Sequence, residues 1–156
     1  MEAILLNSTI VMATFFGMEG VAWLTHKFVM HGFLWSLHRD HHKKETYNFF
    51  EHNDFFFLIF AIPGILGLLL GMRFDYNFLF WMGLGITIYG FAYFLVHDIF
   101  IHQRFKLFRN TDNAYFKAIR RAHKMHHKHL GKEDGECFGM LFVPFKYFKN
   151  ADKSLL

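Results

Sequence analysis

Residues 77–102 read NFLFWMGLGITIYGFAYFLVHDIFIH. The first 20 of them, 77–96, carry no charge, and about 20 such residues are what a helix needs to cross the hydrocarbon core of a bilayer. The last six, His97-Asp-Ile-Phe-Ile-His102, place two histidines directly beyond that run. Two further runs have the same character. Residues 55–72 are 18 without a charge, and residues 4–24 are interrupted only by Glu19. Pro63 predicts a kink in the second run, which membrane helices tolerate. Arg73-Phe-Asp-Tyr-Asn77 is short enough to be a tight loop between the second run and the third.

The rest of the composition agrees. In 156 residues, 53% are apolar and 21% aromatic, with 23 Phe. A soluble domain of this size would be left with large exposed apolar patches. The length suits one domain, 1–156. The expected fold is an all-α integral membrane protein: three spans at about 4–24, 55–72 and 77–96, and a histidine-rich cap from 25–54 and 97–156. A fourth, short re-entrant helix is an option for residues 137–148, which are apolar but too few to span. Met1-Glu2-Ala3 lacks the basic start of a secretory signal.

Charge sets the orientation. Residues 25–54 hold 4 of the 17 Lys and Arg and residues 97–156 hold 12, so 16 lie on one side of a three-span protein. The positive-inside rule makes that side cytoplasmic and puts the N-terminus outside, in the inner (cytoplasmic) membrane. Gly67-x-x-x-Gly71, with Gly64, Gly83, Gly85 and Gly90, reads as close helix packing. No GxGxxG sits between a strand and a helix, so no NAD or flavin site is expected, and electrons for any redox chemistry come from another protein. The single cysteine, Cys137, excludes a disulfide framework, a CxxC zinc site, covalent haem and a cysteine-bound iron–sulfur cluster. A nucleic-acid partner is not expected.

All twelve histidines lie in the two cap segments. Ten form two copies of one pattern: His26 and His31 (HX4H) then His38, His41 and His42 (HX2HH), and His97 and His102 (HX4H) then His123, His126 and His127 (HX2HH). Residues i, i+3 and i+4 share a helix face, so each HX2HH can point at one centre. An HX4H step rotates about 140° on an α-helix. Its rings converge only if they flank the metals or the helix bulges toward π geometry, as helices do at functional sites. Ten imidazoles exceed one ion's needs and suit iron, zinc, copper or nickel; two ions use them and leave positions for oxygen or water. A haem pair would need histidines inside the spans, and a transport site would sit at the midplane. His52 and His129 read as interfacial or hydrogen-bonded residues.

Metal-bound histidines hand their second N–H to an acceptor, and Asp98, Asp40, Glu51 and Asp54 are near enough in sequence to serve. Glu19, an acid within a span about two turns before His26, is a functional candidate for that reason alone. Phe91, Tyr93 and Phe94 are candidates to line a route for an apolar substrate. Residues 114–129 read as an amphipathic helix closing the cap. Its Lys117, Arg120, Arg121 and Lys124 suit either an acidic electron donor or anionic membrane lipid.

At these clusters the chain resembles the bacterial-type β-carotene hydroxylases of the fatty acid hydroxylase/sterol desaturase superfamily. The resemblance covers about residues 16–146. It is carried by Met18-Glu-Gly, His26 through Gly32, Trp35 leading into His38-x-x-His-His42, Asn53-Asp54, Val96-His-Asp98 through His102-Gln-Arg104, Ala122 through His127, and Phe138-Gly-x-x-Phe-Val-Pro144. The paired HX4H spacings are similar to the carotene hydroxylases; lipid hydroxylases and carotenoid ketolases typically open with HX3H. Lys43-Lys44 departs from the family's acidic-proline turn. The resemblance implies a di-iron monooxygenase with two non-haem Fe and no haem. It implies hydroxylation of β-ionone rings at C3 and C3′, β-carotene to zeaxanthin through β-cryptoxanthin, with O2 as co-substrate and reduced ferredoxin as donor. The rival readings are another membrane-lipid hydroxylase or ketolase of that superfamily, and a non-enzymatic metal-binding or transport protein.

Overall fold

A computed structural model of the chain describes residues 1–43 and 49–149. Lys44, counted above among the basic residues, and the end of the expected cap from residue 150 onward lie outside the described residues. Among the described residues every regular element is helical: α1 (Glu2–Leu24), α2 (Trp35–His42), α3 (Phe57–Arg73), α4 (Phe78–Tyr93), α5 (Ala114–Lys128) and the short α6 (Lys146–Lys149).

Three continuous rods are long and apolar enough to cross a membrane: Glu2–Phe33, His52–Arg73 and Phe78–Ile101. The chain is a membrane protein. Residues such as Ile62, Ile65, Leu66 and Leu69 on the second rod stay exposed, as a lipid-facing surface requires. Two rods run beyond the expected ends at 24 and 96. They continue as π-helical turns, Thr25–Phe33 and Phe94–Ile101, so His26, His31 and His97 sit on the rods themselves. No fourth crossing appears among the described residues: after α5 the chain is irregular until the four-residue α6.

Glycine sets how closely the rods approach. A Cβ on Gly71 would lie 2.2 Å from Phe80 N, one on Gly83 2.6 Å from Leu68 N, and one on Gly67 2.9 Å from Gly83 Cα. The α3–α4 hairpin is therefore packed backbone to backbone, the geometry that small-xxx-small spacing permits. Gly85 does the same against α1, where a Cβ would meet Thr14 Cβ at 2.8 Å. The hairpin turns through Asp75 and Tyr76, both at positive φ, and Tyr76 N donates to Gly71 O at 2.8 Å.

The cap is fastened at two places. Asn113 caps α5 by accepting from the backbone N–H of Tyr115 and Phe116. One face of α5 then buries Ala118, Ile119, Ala122, His123 and His126. The second fastening is Glu19 of α1, which is 4% exposed. Its Oε1 accepts from the backbone N–H of Met140 (2.8 Å), Leu141 (2.7 Å) and Phe142 (3.2 Å), and its Oε2 accepts from Tyr89 Oη–H (2.8 Å). Gly139 lets the loop come that close, because a Cβ there would lie 2.8 Å from Glu19 Oε1. The apolar segment 137–148 is thus an irregular strap over the end of α1.

Candidate metal centre

The two HX4H pairs lie on the two π-helical turns. Leu34 N donates to Val29 O at 3.0 Å and His102 N to His97 O at 2.9 Å, both bonds reaching back five residues. An i→i+5 bond makes the turn wider than that of the α-helix, so side chains five apart come nearer to one face. That narrows the roughly 140° divergence that a regular α-helix would impose.

The HX2HH triplets behave differently from the expectation that each serves one centre. On an α-helix, residues i and i+4 are about 40° apart, while i+3 falls about 60° to the other side. The structure splits each triplet along that line. His38 and His42 join His26 and His31, and His126 crosses from α5 to complete the group. His41 crosses the other way to join His97, His102 and His123. His127 stands at the edge of this second group, its Nε2 2.9 Å from His123 Nε2. Within each group the ligand nitrogens all lie within 4.8 Å of one another. Each middle histidine is thereby exchanged between the two repeats.

The hydrogen bonds fix which nitrogen faces inward. In the first group, Nδ1 of His26 donates to Phe138 O (2.9 Å), of His31 to Lys132 O (3.1 Å), of His38 to Asn53 Oδ1 (2.6 Å), of His42 to His129 O (3.0 Å) and of His126 to Glu136 O (2.8 Å). Each acceptor is an oxygen with no proton to give, so Nδ1 carries the hydrogen and Nε2 presents a lone pair. Those lone pairs then face one another: His26 to His38 at 3.1 Å, His31 to His42 at 3.1 Å, and His31 to His126 at 3.2 Å. Bare nitrogens at that separation repel unless a cation lies between them. In the second group His41 Nε2 is buried without a hydrogen-bond partner. In the first group every Nδ1–H is satisfied and the Nε2 lone pairs converge, the arrangement a metal ion requires.

Electrostatics points the same way. Burial pushes His42 down to about 4 and His126 to about 3, with neighbouring histidines adding to the shift. Burial, and then the surrounding rings, drive His41, His102 and His123 well below the ordinary 6.5. Neutral rings are the ones that bind metal.

Behind the second group stands Arg104, which the sequence shows only as the residue two beyond His102. Its guanidinium donates to Asp54 Oδ1 (2.7 Å) and Glu51 Oε2 (3.2 Å) and pairs with Asp98 Oδ1 (3.1 Å). Glu51 Oε2 accepts from His41 Nδ1 at 2.9 Å, and Asp98 Oδ2 from His97 Nδ1 at a longer 3.4 Å. An opening of about 330 Å³ reaches this group, lined by His41, His102, His123, His127, Gln103 and Lys124 among others. Trp35 packs on the first group, with its ring 5.1 Å from His31 and 5.3 Å from His42.

The remaining expected residues divide. Glu51 and Asp98 reach histidines of the cluster. Asp54 does not: it bonds Arg104 and the backbone N–H of Glu51. Asp40 accepts from His52, from the backbone N–H (2.7 Å) and from Nδ1 (2.9 Å). Glu19 holds the strap instead of a histidine. Tyr93 stacks on His97 at 4.8 Å, whereas Phe91 and Phe94 are exposed on the outside of the bundle. Of the basic residues expected to meet a donor or lipid, Arg120 is occupied by Phe100 O (2.9 Å) and the carbonyls of Phe108 and Arg109, and Arg121 by Tyr147 O (3.1 Å). Lys117 pairs with Asp112 at 3.2 Å; Lys124 lines the opening. Asn53 and Phe138 back the histidines although sequence reasoning gave them no such role. Their backing is a tertiary contact with no signature in spacing.

The profile of the Fatty acid hydroxylase family matches residues 11–148. The chain is 41% identical over 138 residues to the beta-carotene hydroxylase of Pantoea ananas, covering 88% of this chain and 78% of that one. It is 38% identical over 139 residues to the beta-carotene hydroxylase of Pseudescherichia vulneris, covering 89% and 78%. Against the chloroplastic beta-carotene hydroxylase 1 of Capsicum annuum it is 38% identical over 133 residues, 82% of this chain and 41% of that longer one. No solved structure matches the chain significantly.

Proposed function

We propose that this chain, which belongs to the fatty acid hydroxylase family, hydroxylates the β-ionone rings of carotenoids at C3 and C3′, carrying β-carotene through β-cryptoxanthin to zeaxanthin. The observation that carries the reading is the pair of convergent histidine groups at one end of three membrane-spanning rods. The bacterial relatives named above supply the substrate class. Two iron ions, bound one to each group, would supply with O2 and external electrons the oxidising power that an unactivated C–H bond demands. Reduced ferredoxin or a similar protein is the proposed donor. The basic side of the chain is proposed to be cytoplasmic, in the inner membrane, with the N-terminus outside.

The chain's own residues then have defined roles. The ten clustered histidines hold the ions, with the Nδ1 protons of His26, His31, His38, His41, His42, His97 and His126 committed outward. Glu51 and Asp98 fix the rings of His41 and His97. The rods keep a polyene tail in lipid while a ring end reaches the histidines. Tyr93, stacked on His97, is the aromatic residue placed to meet that ring.

Expression in a bacterial host that makes β-carotene, with separation of the pigments by chromatography and mass spectrometry, tests the reading. Wild-type chain is expected to yield β-cryptoxanthin and zeaxanthin, and His126→Ala or His41→Ala to yield neither. His52→Ala is expected to stay active, because the His52 ring is exposed and bonds Asp40 instead of a histidine of the cluster. Keto products would move the chain to ketolation. Unaltered β-carotene, with metal-loaded protein and donor present, would refute the substrate.

A further inference from the structure

The two histidine groups draw on the same repeat but do not stand against the same charge. Every Nδ1 of the first group is backed by a neutral oxygen, four backbone carbonyls and the side-chain amide of Asn53. In the second group two rings are backed by carboxylates: His41 by Glu51 and His97 by Asp98. One guanidinium, Arg104, spans Glu51, Asp54 and Asp98. Three carboxylates meet that one arginine, and two of them, Glu51 and Asp98, hold histidine rings directly. Lys124 and Arg120 stand at the opening as further cations, the Arg120 guanidinium bonding neutral backbone carbonyls and so keeping its charge; what separates the two groups is the carboxylates that touch the rings.

A carboxylate behind an imidazole makes it a stronger donor to a metal than a carbonyl does. We propose that the two metal positions are unequal by construction: the group of His41, His97, His102 and His123 holds its divalent cation more tightly, and Glu51 and Asp98, clamped by Arg104, are the positioning residues that make it so. Arginine is needed for the clamp because its planar fork reaches three carboxylates at once, which an ammonium on a flexible stem does not. This inference rests on the metal-holding part of the function proposed above and is independent of the carotenoid substrate.

Equilibrium titration of the full-length, metal-free protein in detergent with Co(II), followed by its visible absorption and by competition with a chelator, tests it. Wild type is expected to bind two equivalents in two resolved steps. Glu51→Gln keeps an oxygen for His41 Nδ1 but removes the charge, and should weaken the tighter step roughly 10- to 100-fold while leaving the other in place. Asn53→Asp adds a carboxylate behind His38 and should tighten the weaker step, narrowing the gap. This gain is a result that mere loss of structure does not give. Arg104→Lys should broaden and weaken the tighter step alone. Two equal steps in wild type, movement of both steps in Glu51→Gln, or no gain in Asn53→Asp would overturn the proposal. Failure to bind Co(II) at all would overturn it together with the metal-holding reading, whereas two unequal steps without carotenoid turnover would leave it standing and refute only the substrate.

Discussion

Replacing Glu19 by Leu should release the strap 137–143 from the membrane bundle without touching a histidine. The carboxylate satisfies four donors, of which the backbone N–H of Met140 and the hydroxyl of Tyr89 are fully buried. Leaving a buried donor unpaired costs about 1–3 kcal/mol, so these two alone amount to about 2–6 kcal/mol. The other two, the N–H groups of Leu141 and Phe142, are only partly buried and can turn to water. At about 1.4 kcal/mol per factor of ten, a cost near 4 kcal/mol lowers the docked-to-undocked ratio by nearly a thousandfold. The strap and its approach supply the carbonyls of Lys132, Glu136 and Phe138 to His31, His126 and His26, so undocking also frees three rings of the first group to rotate.

Hydrogen exchange read by mass spectrometry resolves this locally. In Glu19→Leu, amides 139–143 should exchange far faster than in wild type while those of α3 and α4 keep their protection. Metal content should fall toward one equivalent. Glu19→Gln retains one oxygen for the three N–H groups and should fall between the two. Unchanged exchange in 139–143 in Glu19→Leu would refute the assignment of Glu19 as the fastening. Uniform loss of protection over the whole chain would instead show that Glu19 supports the bundle at large.

Acid should open the histidine groups. A ring whose pKa falls on folding contributes stability that is fully present above its unfolded value near 6.5 and is lost as pH drops toward the folded value, about 4 for His42 and about 3 for His126. Metal retention on equilibrium dialysis should hold at pH 7 and fail between pH 6 and about 4; loss on raising the pH from 7 to 8 would contradict it. Gly71→Ala or Gly83→Ala should force the α3–α4 hairpin apart, since the new methyl meets backbone at 2.2 or 2.6 Å. Overpacking costs about 1–3 kcal/mol, visible as a lower thermal unfolding midpoint in detergent. Gly17→Ala, with nothing within 4 Å of its Cβ position, should leave that midpoint unchanged or slightly raise it.

The spans were legible because their signal is local. An uncharged run of about 20 residues has few fates other than a membrane helix, and small residues four apart announce close packing. The HX4H spacing was legible in part, as a demand that either the rings straddle the metals or the helix widen; the hydrogen bonds from Leu34 N and His102 N back to residues 29 and 97 show the widening. What spacing does not encode is which helix a side chain faces. His38, His41 and His42 share a face broadly, but His41 and His42 lie about 100° apart around α2. Only the packing of α2 against the π turns and α5 decides that they serve different groups. The same limit hid Arg104 and Asn53, whose partners lie 50 and 15 residues away in sequence. It also misdirected the reading of Glu19. Proximity to His26 along the helix suggested a partner for histidine, whereas three backbone N–H groups more than 120 residues away claim its oxygen. The repeat itself conceals a further asymmetry. Two copies of HX4H and HX2HH look interchangeable in sequence, yet the groups they build differ: the first is seated on neutral oxygens, whereas in the second carboxylates hold His41 and His97, because the loop around Glu51 and the turn at Asp98 meet at Arg104 while the strap offers the first group only backbone. On the proposed two-metal reading, like ligands on unlike supports would let the two ions take different roles.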